Sequence, residues 1–411
     1  MRKSRTSAFL WILRIYIFVL VLSDCQLSEM QPYDQILKVV RFAMLGIIAI
    51  YDLSVQKKVK ITIIFVFMIL AGLVSINTLV FDGGISLVSL LLLLFAAKKQ
   101  NLKLIFKDSI LSIFLAHLFV VVLCNIGILS DEVSLRYLSN VTGDFFSGEY
   151  VRHSYGFLIH NQIPTSFMLL CFLYIVYRRE LFSAIDTVIL VIMNLVIYTY
   201  FGSRIAFALV LAAVVGVWLI KLKEKLKKSN YRMLAFISKL CYPLLCIASF
   251  ILTEMYKSSN SLMLYLDLFF NHRLSMGRQA LHSYGFSWLG YGTEAGTYAA
   301  LDTATVDNGY IATYLSFGII ILCFSIIAYM ILAEIAKLHH NGYLLLMLIF
   351  LAFENTINAH LLSYNVIPLL CILINRNDEM LSQGQSLLWD RVHLYFKRGK
   401  IIIKKKVVRS D

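Results

Sequence analysis

The sequence predicts an all-α, polytopic integral membrane protein with about twelve membrane-spanning helices. Hydrophobic residues make up 59% of the 411 residues, and the mean hydropathy of +0.76 is too high for a water-soluble protein. The apolar residues are also grouped into long uncharged runs, most of them near the length of about 20 residues that a spanning helix needs. These two observations favour one membrane domain over several soluble domains.

The apolar runs follow one another along most of the chain. They lie at about residues 8–22, 36–51, 61–81, 85–97, 109–129, 157–177, 184–201, 204–220, 234–253, 310–335, 343–357 and 361–374. The run at 85–97 is the shortest and needs flanking residues in order to cross a bilayer. The first run follows a basic N-terminus, as in a secretion signal, but no small-residue cleavage site follows it. We therefore interpret it as the first span.

The basic residues support this count of spans because lysine-rich connections alternate with connections that hold few basic groups. The lysine-rich set comprises Lys57–Lys60, Lys98–Lys107, Arg178 with Arg179, Lys221–Arg232, and Lys337. The alternation predicts that these connections and both termini are cytoplasmic. Orientation and anionic inner-leaflet lipids thus explain the net charge of +14, and no nucleic-acid partner is needed.

We expect a membrane domain over residues 1–384 and a basic cytoplasmic tail over 385–411. The tail fits either an amphipathic helix on the membrane surface or a solvated segment. Two predicted extracytoplasmic loops are long, at about 130–156 and 254–309. The second precedes the tenth span and lacks a long apolar run, which is typical of a loop that carries function. We place the candidate active site there.

The basic residues of the outer connections are mostly arginine, whose planar fork binds oxyanions in a bidentate manner that lysine cannot reproduce. The first candidate segment is RHSYGFLIHNQ (Arg152–Gln162), at the entry to the sixth span. Arg152 and His153 are expected near the interface, and His160 and Asn161 about one turn inside the membrane. Polar groups at that depth face a cavity or a ligand, or they bond one helix to another.

The second candidate segment is GSRIAF (Gly202–Phe207), in a very short connection between the seventh and eighth spans. Arg204 is expected to stay close to the outer surface beside a helix N-terminus. A guanidinium and a helix dipole together make a good anion anchor. The alternative is that Arg204 extends to the lipid headgroups without a specific ligand.

The third segment is NHRLSMGRQALHSYGF (Asn271–Phe286), which holds Arg273, Arg278 and His282 in a stretch that can be helical. On a helix, residues five apart point in different directions. The two arginines can therefore touch one ligand only if the segment bends or the ligand is large.

The fourth segment is DNGYIATYLSFG (Asp307–Gly318), at the entry to the tenth span. Asp307 and Asn308 are expected at the mouth of this helix, either as N-cap or as site residues. Tyr310 and Tyr314 are expected on the same face as interfacial aromatic residues. Six of the seven cysteines lie in apolar runs without metal-ligand spacing, so no metal or redox cofactor is predicted.

At these four segments the chain resembles the Wzy-type polymerases of O-antigen, capsule and exopolysaccharide repeat units, and more distantly the O-antigen ligases. The resemblance covers the whole topology loosely and is most specific at GSRIAF and DNGYIATYLSFG. It implies a fold similar to the multi-span lipid-sugar glycosyltransferases, in a bacterial plasma membrane and without cofactor or metal. The implied enzyme transfers the growing glycan from undecaprenyl diphosphate to a hydroxyl of an incoming lipid-linked repeat unit, on the outer membrane face.

The resemblance also implies roles for the candidate residues. The diphosphate-binding set is Arg152, Arg204, Arg273 and Arg278; the catalytic set is Asp307, His282 and His153; the supporting set is His160, Asn161, Asn308 and Tyr310. In the ligases a His-Asn pair opens the fourth segment, whereas Asp307 stands first here. A carboxylate is a weaker base than imidazole, so the base stays open among the three catalytic candidates.

The implied partners are an undecaprenyl-diphosphate-linked oligosaccharide, membrane lipids, a chain-length regulator and a flippase. Three other functions remain open. A ligase would move finished polysaccharide to another acceptor with the same donor chemistry. A transporter, such as a lipid-linked oligosaccharide flippase, would show two similar halves with paired helix breaks, which the sequence does not display. A structural subunit would use its arginines only for headgroup contacts.

Overall fold

The computed structural model describes residues 2–55, 85–98, 100–137, 149–226, 231–270, 272–292, 306–375 and 378–383. Within these residues the chain is mainly helical. The helices are α1 (Arg2–Ser23), α2 (Tyr33–Val55), α3 (Ile85–Ala96), α4 (Leu102–Asn125), α5 (Gln162–Arg178), α6 (Ala184–Phe201), α7 (Arg204–Lys225), α8 (Arg232–Met255), α9 (Ser261–Phe269), α10 (Arg273–Tyr284), α11 (Gly309–Leu338), α12 (Gly342–Glu354) and α13 (Ile367–Ile374).

Among the described residues, five helices are long and apolar enough to cross a membrane, namely α4, α6, α7, α8 and α11. Shorter apolar helices occur in α1, α3, α12 and the segment Tyr364–Ile374. These helices are those of an α-helical membrane protein, as the sequence predicts. The predicted run at 61–81 and the tail at 385–411 lie outside the described residues.

The buried core joins all parts of this helical bundle. Helix α8 packs along α11 and α12, α1 along α4, and α5 against α4 and α7. Tyr242 of α8 and Tyr329 of α11 are fully buried and stack with ring centroids 4.4 Å apart. Aromatic stacking adds a specific contact to the burial of two large apolar rings.

The connections between helices collect at two ends of the bundle. At one end, Asp24 follows α1 and accepts a hydrogen bond from Gln162 at the start of α5, 3.1 Å away. Gln162 also donates to the Tyr364 hydroxyl, 3.0 Å away, just before α13. We call this the arginine end because it holds Arg152 and Arg204. The opposite end, with Lys98, Lys221 and Lys337, is the lysine end.

Buried arginines stabilise the lysine end. Arg178 and Asp186 are both fully buried and form an ion pair 3.1 Å long between α5 and α6. Asp186 also forms a capping box with Ser183 at the start of α6. Arg179 donates to the Leu381 carbonyl, 2.6 Å away. The charge pattern therefore has a packing role in this connection in addition to the predicted topological one.

The connection at 130–156 contains a β-hairpin, which departs from the all-α prediction. Strands β1 (Val133–Tyr137) and β2 (Glu149–His153) pair antiparallel, with Val133 opposite His153. Both strands lie in one polar connection, where the length of apolar runs gives no signal for strand pairing. In the second long connection, α10 confirms that the segment around Arg273 is helical.

Helix α11 is broken at Gly318, whose φ of +80° lies in the left-handed region. The segment Ser287–Gly292 crosses the break and bonds to the opened backbone. The Tyr291 amide donates to the Leu315 carbonyl, 2.7 Å away, and the Ile319 amide donates to the Ser287 carbonyl, 3.3 Å away. Non-helical backbone at membrane depth requires such partners because it has no water to bond.

Candidate functional site

The hairpin joins the first two candidate segments through Arg152. Its Nε donates to the carbonyl of Phe201 at the end of α6, 3.1 Å away, and its Nη2 donates to the Asn161 side chain. Because of these two hydrogen bonds, the partly buried guanidinium holds β2 against the short turn that precedes α7. His160 and Asn161 precede α5, which begins at Gln162, and they therefore lie in the connection before this helix.

Arg204 is the first residue of α7, as its position beside the short connection predicts. Gly202 adopts a left-handed conformation with φ of +61°, and Ser203 occupies the N-cap without capping the helix with its side chain. The Arg204 side chain is exposed, and no hydrogen bond or ion pair holds it within the described residues. An uncapped helix N-terminus and an unengaged guanidinium thus lie at the same point of the surface.

An aromatic residue links this turn to the hairpin. The Tyr155 ring lies 5.4 Å from the His153 ring and 5.4 Å from the Phe201 ring, centroid to centroid. It also meets Tyr200 edge-on at 6.4 Å. Burial raises the pKa of Tyr155, and nearby Asp131 raises it further. Tyr155 is therefore a neutral ring between the hairpin and the α6–α7 turn.

His153 forms a close pair with Asp131, a residue that the sequence reasoning missed. Nδ1 of His153 lies 2.6 Å from Oδ2 of Asp131, and the two side chains are 31% and 29% exposed. The other oxygen of Asp131 accepts hydrogen bonds from the backbone amides of Ser154 and Tyr155, 3.0 Å and 2.9 Å away. The acidic pair Asp131-Glu132, directly after an apolar run, was the signal that could have revealed it.

His160 lies beside the same hairpin, with Nε2 3.1 Å from the carbonyl oxygen of Glu132. Burial lowers the pKa of His160, and the charge of Arg152 lowers it further. A neutral His160 is consistent with a supporting contact between the hairpin and the start of α5.

A second polar cluster joins the third and fourth segments. Nη2 of Arg273 donates to Oδ2 of Asp307, 2.9 Å away, and Nη1 donates to the Phe270 carbonyl, 3.3 Å away. The Arg273 side chain is only 7% exposed, and its Nε has no partner in the described structure. The Arg273 guanidinium is therefore engaged by Asp307.

Arg278 points away from Arg273, as five-residue spacing on a helix predicts. It donates to the Tyr256 carbonyl at the end of α8, and its Nε lies 3.5 Å from Nε2 of His282. The same nitrogen of His282 lies 3.4 Å from Glu254. An open pocket of about 360 Å³ forms here, lined by Tyr256, Ser258, Ser275, Arg278, Gln279 and His282.

Asn308 caps α11, accepting hydrogen bonds from the amides of Tyr310 and Ile311. Its Nδ2 also donates to the Thr356 carbonyl, 3.1 Å away, beyond the end of α12. Tyr310 is fully buried and donates to the Ala352 carbonyl, 3.0 Å away. The rings of Tyr310 and Tyr314 both pack inside the bundle, so they contribute to the core instead of facing lipid.

Glu354 and His360 are a second pair that the sequence reasoning missed. Glu354 is fully buried at the end of α12, and its Oε1 lies 3.7 Å from Nε2 of His360. Neither carboxylate oxygen has a hydrogen-bond partner in the described structure. Burial lowers the pKa of His360 to about 4. The sequence feature that could indicate this pair is Glu354 itself, an acidic residue inside the apolar run 343–357.

The structure thus arranges the candidate residues in two groups at the arginine end. The first holds Arg152, His153, His160, Asn161 and Arg204, around the hairpin and the α6–α7 turn. The second holds Arg273, Arg278, His282, Asp307, Asn308 and Tyr310, around α10 and the start of α11. Searches of protein-family models, of curated proteins and of solved structures find no match to this chain.

Proposed function

We propose that this protein is a membrane glycosyltransferase that polymerises undecaprenyl-diphosphate-linked oligosaccharide repeat units. The observation that carries the proposal is Arg204, the first residue of an uncapped helix, whose exposed guanidinium has no partner among the described residues. Backbone amides at a helix N-terminus and a bidentate guanidinium are the groups that bind phosphate best in proteins. Arg152 supports them by bonding to the Phe201 carbonyl at the start of the same turn.

The proposal includes a topology of about twelve spans in a bacterial plasma membrane. The arginine end then faces outward, and the lysine end and both termini face the cytoplasm. Lysine clusters near α3, α7 and α11 support this orientation, as does the small number of lysines at the arginine end. A lipid diphosphate suits such a surface because its phosphates lie at headgroup level while its tail stays in the bilayer.

The proposed reaction forms a glycosidic bond and releases a lipid diphosphate. The acceptor hydroxyl oxygen attacks the anomeric carbon of the growing glycan, and the bond from that carbon to the diphosphate oxygen breaks. The leaving diphosphate retains the electron pair, and arginines stabilise the charge that develops on it. A base must accept the hydroxyl proton, and His153, His282 and Asp307 are the candidates.

The test is reconstitution of purified protein in lipid nanodiscs with a lipid-linked repeat unit. We expect a ladder of product lengths from the wild type and loss of the ladder in Arg204→Lys, which keeps the charge but lacks the fork. Lys257→Gln is the matched control, because it removes an exposed charge at the same end. No product from the wild type, or an unchanged ladder from Arg204→Lys, would refute the proposal.

A transporter of lipid-linked sugar is the second candidate, and the break in α11 at Gly318 favours it. Interrupted helices at membrane depth are common in transporters, where the opened backbone lines a substrate site. In this protein the opened backbone is instead bonded to the segment Ser287–Gly292. Transbilayer movement of a labelled lipid-linked sugar without chain growth would support the transporter. A single transfer to a different acceptor would indicate a ligase.

A further inference from the structure

The Asp131–His153 pair has the geometry of a carboxylate that orients an imidazole. The carboxylate faces Nδ1 of His153 at 2.6 Å, and within the described residues no hydrogen bond engages Nε2. Asp131 is itself held by the backbone amides of Ser154 and Tyr155. It therefore cannot rotate away from the ring without loss of these two bonds.

Such a contact fixes the tautomer of the neutral ring. A carboxylate accepts a hydrogen bond only from a protonated nitrogen, so the proton resides on Nδ1 and the lone pair on Nε2. The same carboxylate stabilises the imidazolium that forms when Nε2 takes up a proton. Orientation, tautomer and charge all then favour Nε2 as a proton acceptor.

The other two catalytic candidates lack this arrangement. Nε2 of His282 faces both the Arg278 guanidinium and the Glu254 carboxylate, at 3.5 Å and 3.4 Å. Asp307 is bonded to Arg273. Of the three, only His153 has a ring nitrogen that pairs with a carboxylate alone, at 2.6 Å, and in the described structure its other nitrogen makes no hydrogen bond.

His153 also belongs to the same group as the anion anchor. The Tyr155 ring contacts His153 on one side and Phe201 on the other, and Phe201 is three residues before Arg204. A neutral tyrosine ring between a base and a phosphate site can pack against the apolar face of a sugar. The acceptor hydroxyl then faces His153 and the departing diphosphate faces Arg204, within one region of the surface.

We infer that Asp131 is a positioning residue, and that Nε2 of His153 accepts the proton of the acceptor hydroxyl. This inference rests on the proposed function. As the hydroxyl oxygen bonds to the anomeric carbon, its proton passes to Nε2, and the diphosphate departs with the electron pair of the broken bond. Asp131 stays ionised beside the imidazolium, which later returns its proton to water.

The first test is Asp131→Asn in the reconstituted polymerase assay. The asparagine oxygen can still accept from the backbone amides of Ser154 and Tyr155, so the hairpin is retained. Its NH₂ group, however, faces Nδ1 and forces the ring proton onto Nε2. We expect kcat to fall by roughly 10²- to 10⁴-fold, the usual contribution of a general base, with little change in KM. Asp34→Asn is the matched control, because it neutralises a partly exposed carboxylate that pairs with Lys38 in α2.

The second test is chemical rescue of His153→Ala by imidazole added to the buffer. A proton acceptor supplied from solution should restore part of the lost rate, whereas a lost structural contact would not respond. Normal turnover in Asp131→Asn, or no response of His153→Ala to imidazole, would overturn the inference. Both results presuppose a wild-type ladder, so its absence would refute the proposed function instead.

Discussion

Arg273 donates a 2.9 Å hydrogen bond to Asp307, and this contact joins the first residue of α10 to the residue before the N-cap of α11. The arginine is nearly buried, whereas the carboxylate is 32% exposed. A phosphate that approaches Arg273 must therefore compete with a carboxylate that is already in place. The ion pair lowers the anion affinity of Arg273 below that of an unengaged arginine such as Arg204.

This competition predicts that Asp307→Asn binds anions more tightly. Asparagine keeps an oxygen that can accept from Arg273 but carries no charge. We expect the affinity for inorganic diphosphate to rise about fivefold, equivalent to about 1 kcal/mol. Isothermal titration calorimetry on the detergent-solubilised protein measures this directly. Weaker binding by Asp307→Asn would contradict the competition, and retained polymer synthesis would exclude Asp307 as the base.

The buried Arg178–Asp186 pair predicts a large loss of stability in Arg178→Ala. Removal of one partner leaves a fully buried carboxylate without its cation, which typically costs about 3–5 kcal/mol. The effect is measured as a lower temperature of thermal unfolding in detergent. Lys225→Ala is the control, since this exposed lysine at the same end contributes little. Equal unfolding temperatures for the two variants would disprove the structural role of Arg178.

The break in α11 predicts that Gly318 does not tolerate a side chain. A Cβ at this position would overlap the carbonyl group of Trp288, and φ of +80° is unfavourable for any L-residue with a side chain. We expect Gly318→Ala to reduce the free energy of unfolding by at least about 2 kcal/mol. Gly46→Ala in α2 is the control, because an added Cβ there meets open space. A neutral Gly318→Ala would show that Ser287–Gly292 does not pack across the break.

Two groups near the arginine end predict opposite effects of pH on stability. Burial raises the pKa of Asp24 to about 6, although Arg41 and hydrogen bonds from Gln162 and Tyr364 lower it. The folded state thus binds this proton more tightly than the unfolded state does. The resulting stabilisation is full below about pH 4 and is lost as the pH rises to about 6.

His360 acts in the opposite direction, because burial lowers its pKa to about 4. The stabilisation of the folded state by neutral His360 is full above about pH 6.5 and is lost as the pH falls towards 4. We therefore expect the stability of Asp24→Asn to change with pH by a more positive slope than that of the wild type between about pH 4 and 6, because the variant lacks the loss that Asp24 contributes. Thermal unfolding at several pH values in this interval tests it. A wild-type and a variant profile of the same slope would contradict the assignment to Asp24.

The sequence predicts the apolar helices well because hydrophobic run length and charge are local properties. The start of α7 at Arg204 and the helix around Arg273 follow from such local patterns. The pairing of β1 with β2 does not, since these short strands lie in a connection that contains no apolar run. The break at Gly318 is non-local, because it exists to admit the backbone of Ser287–Gly292.

The candidate site was predicted only in part for the same reason. The arginines of the outer connections were identified by residue type, and the structure locates them at one end of the bundle. The acidic partners of the histidines do not follow from residue type, because Asp131 faces His153 through the strand pairing and Glu354 meets His360 through the turn after α12. The Tyr310 hydroxyl donates to the Ala352 carbonyl inside the bundle, a contact that depends on helix packing and not on the local pattern around Tyr310.

The short length of α12 has a consequence for how a ligand reaches the second group of residues. Its 13 residues span only about 20 Å, whereas the hydrocarbon layer of a bilayer is about 30 Å thick. Every side chain of α12 except that of Phe353 is at least partly buried by neighbouring helices. A bilayer therefore contacts these neighbours more than α12 itself, and a ligand that reaches Glu354 from the membrane must pass between them.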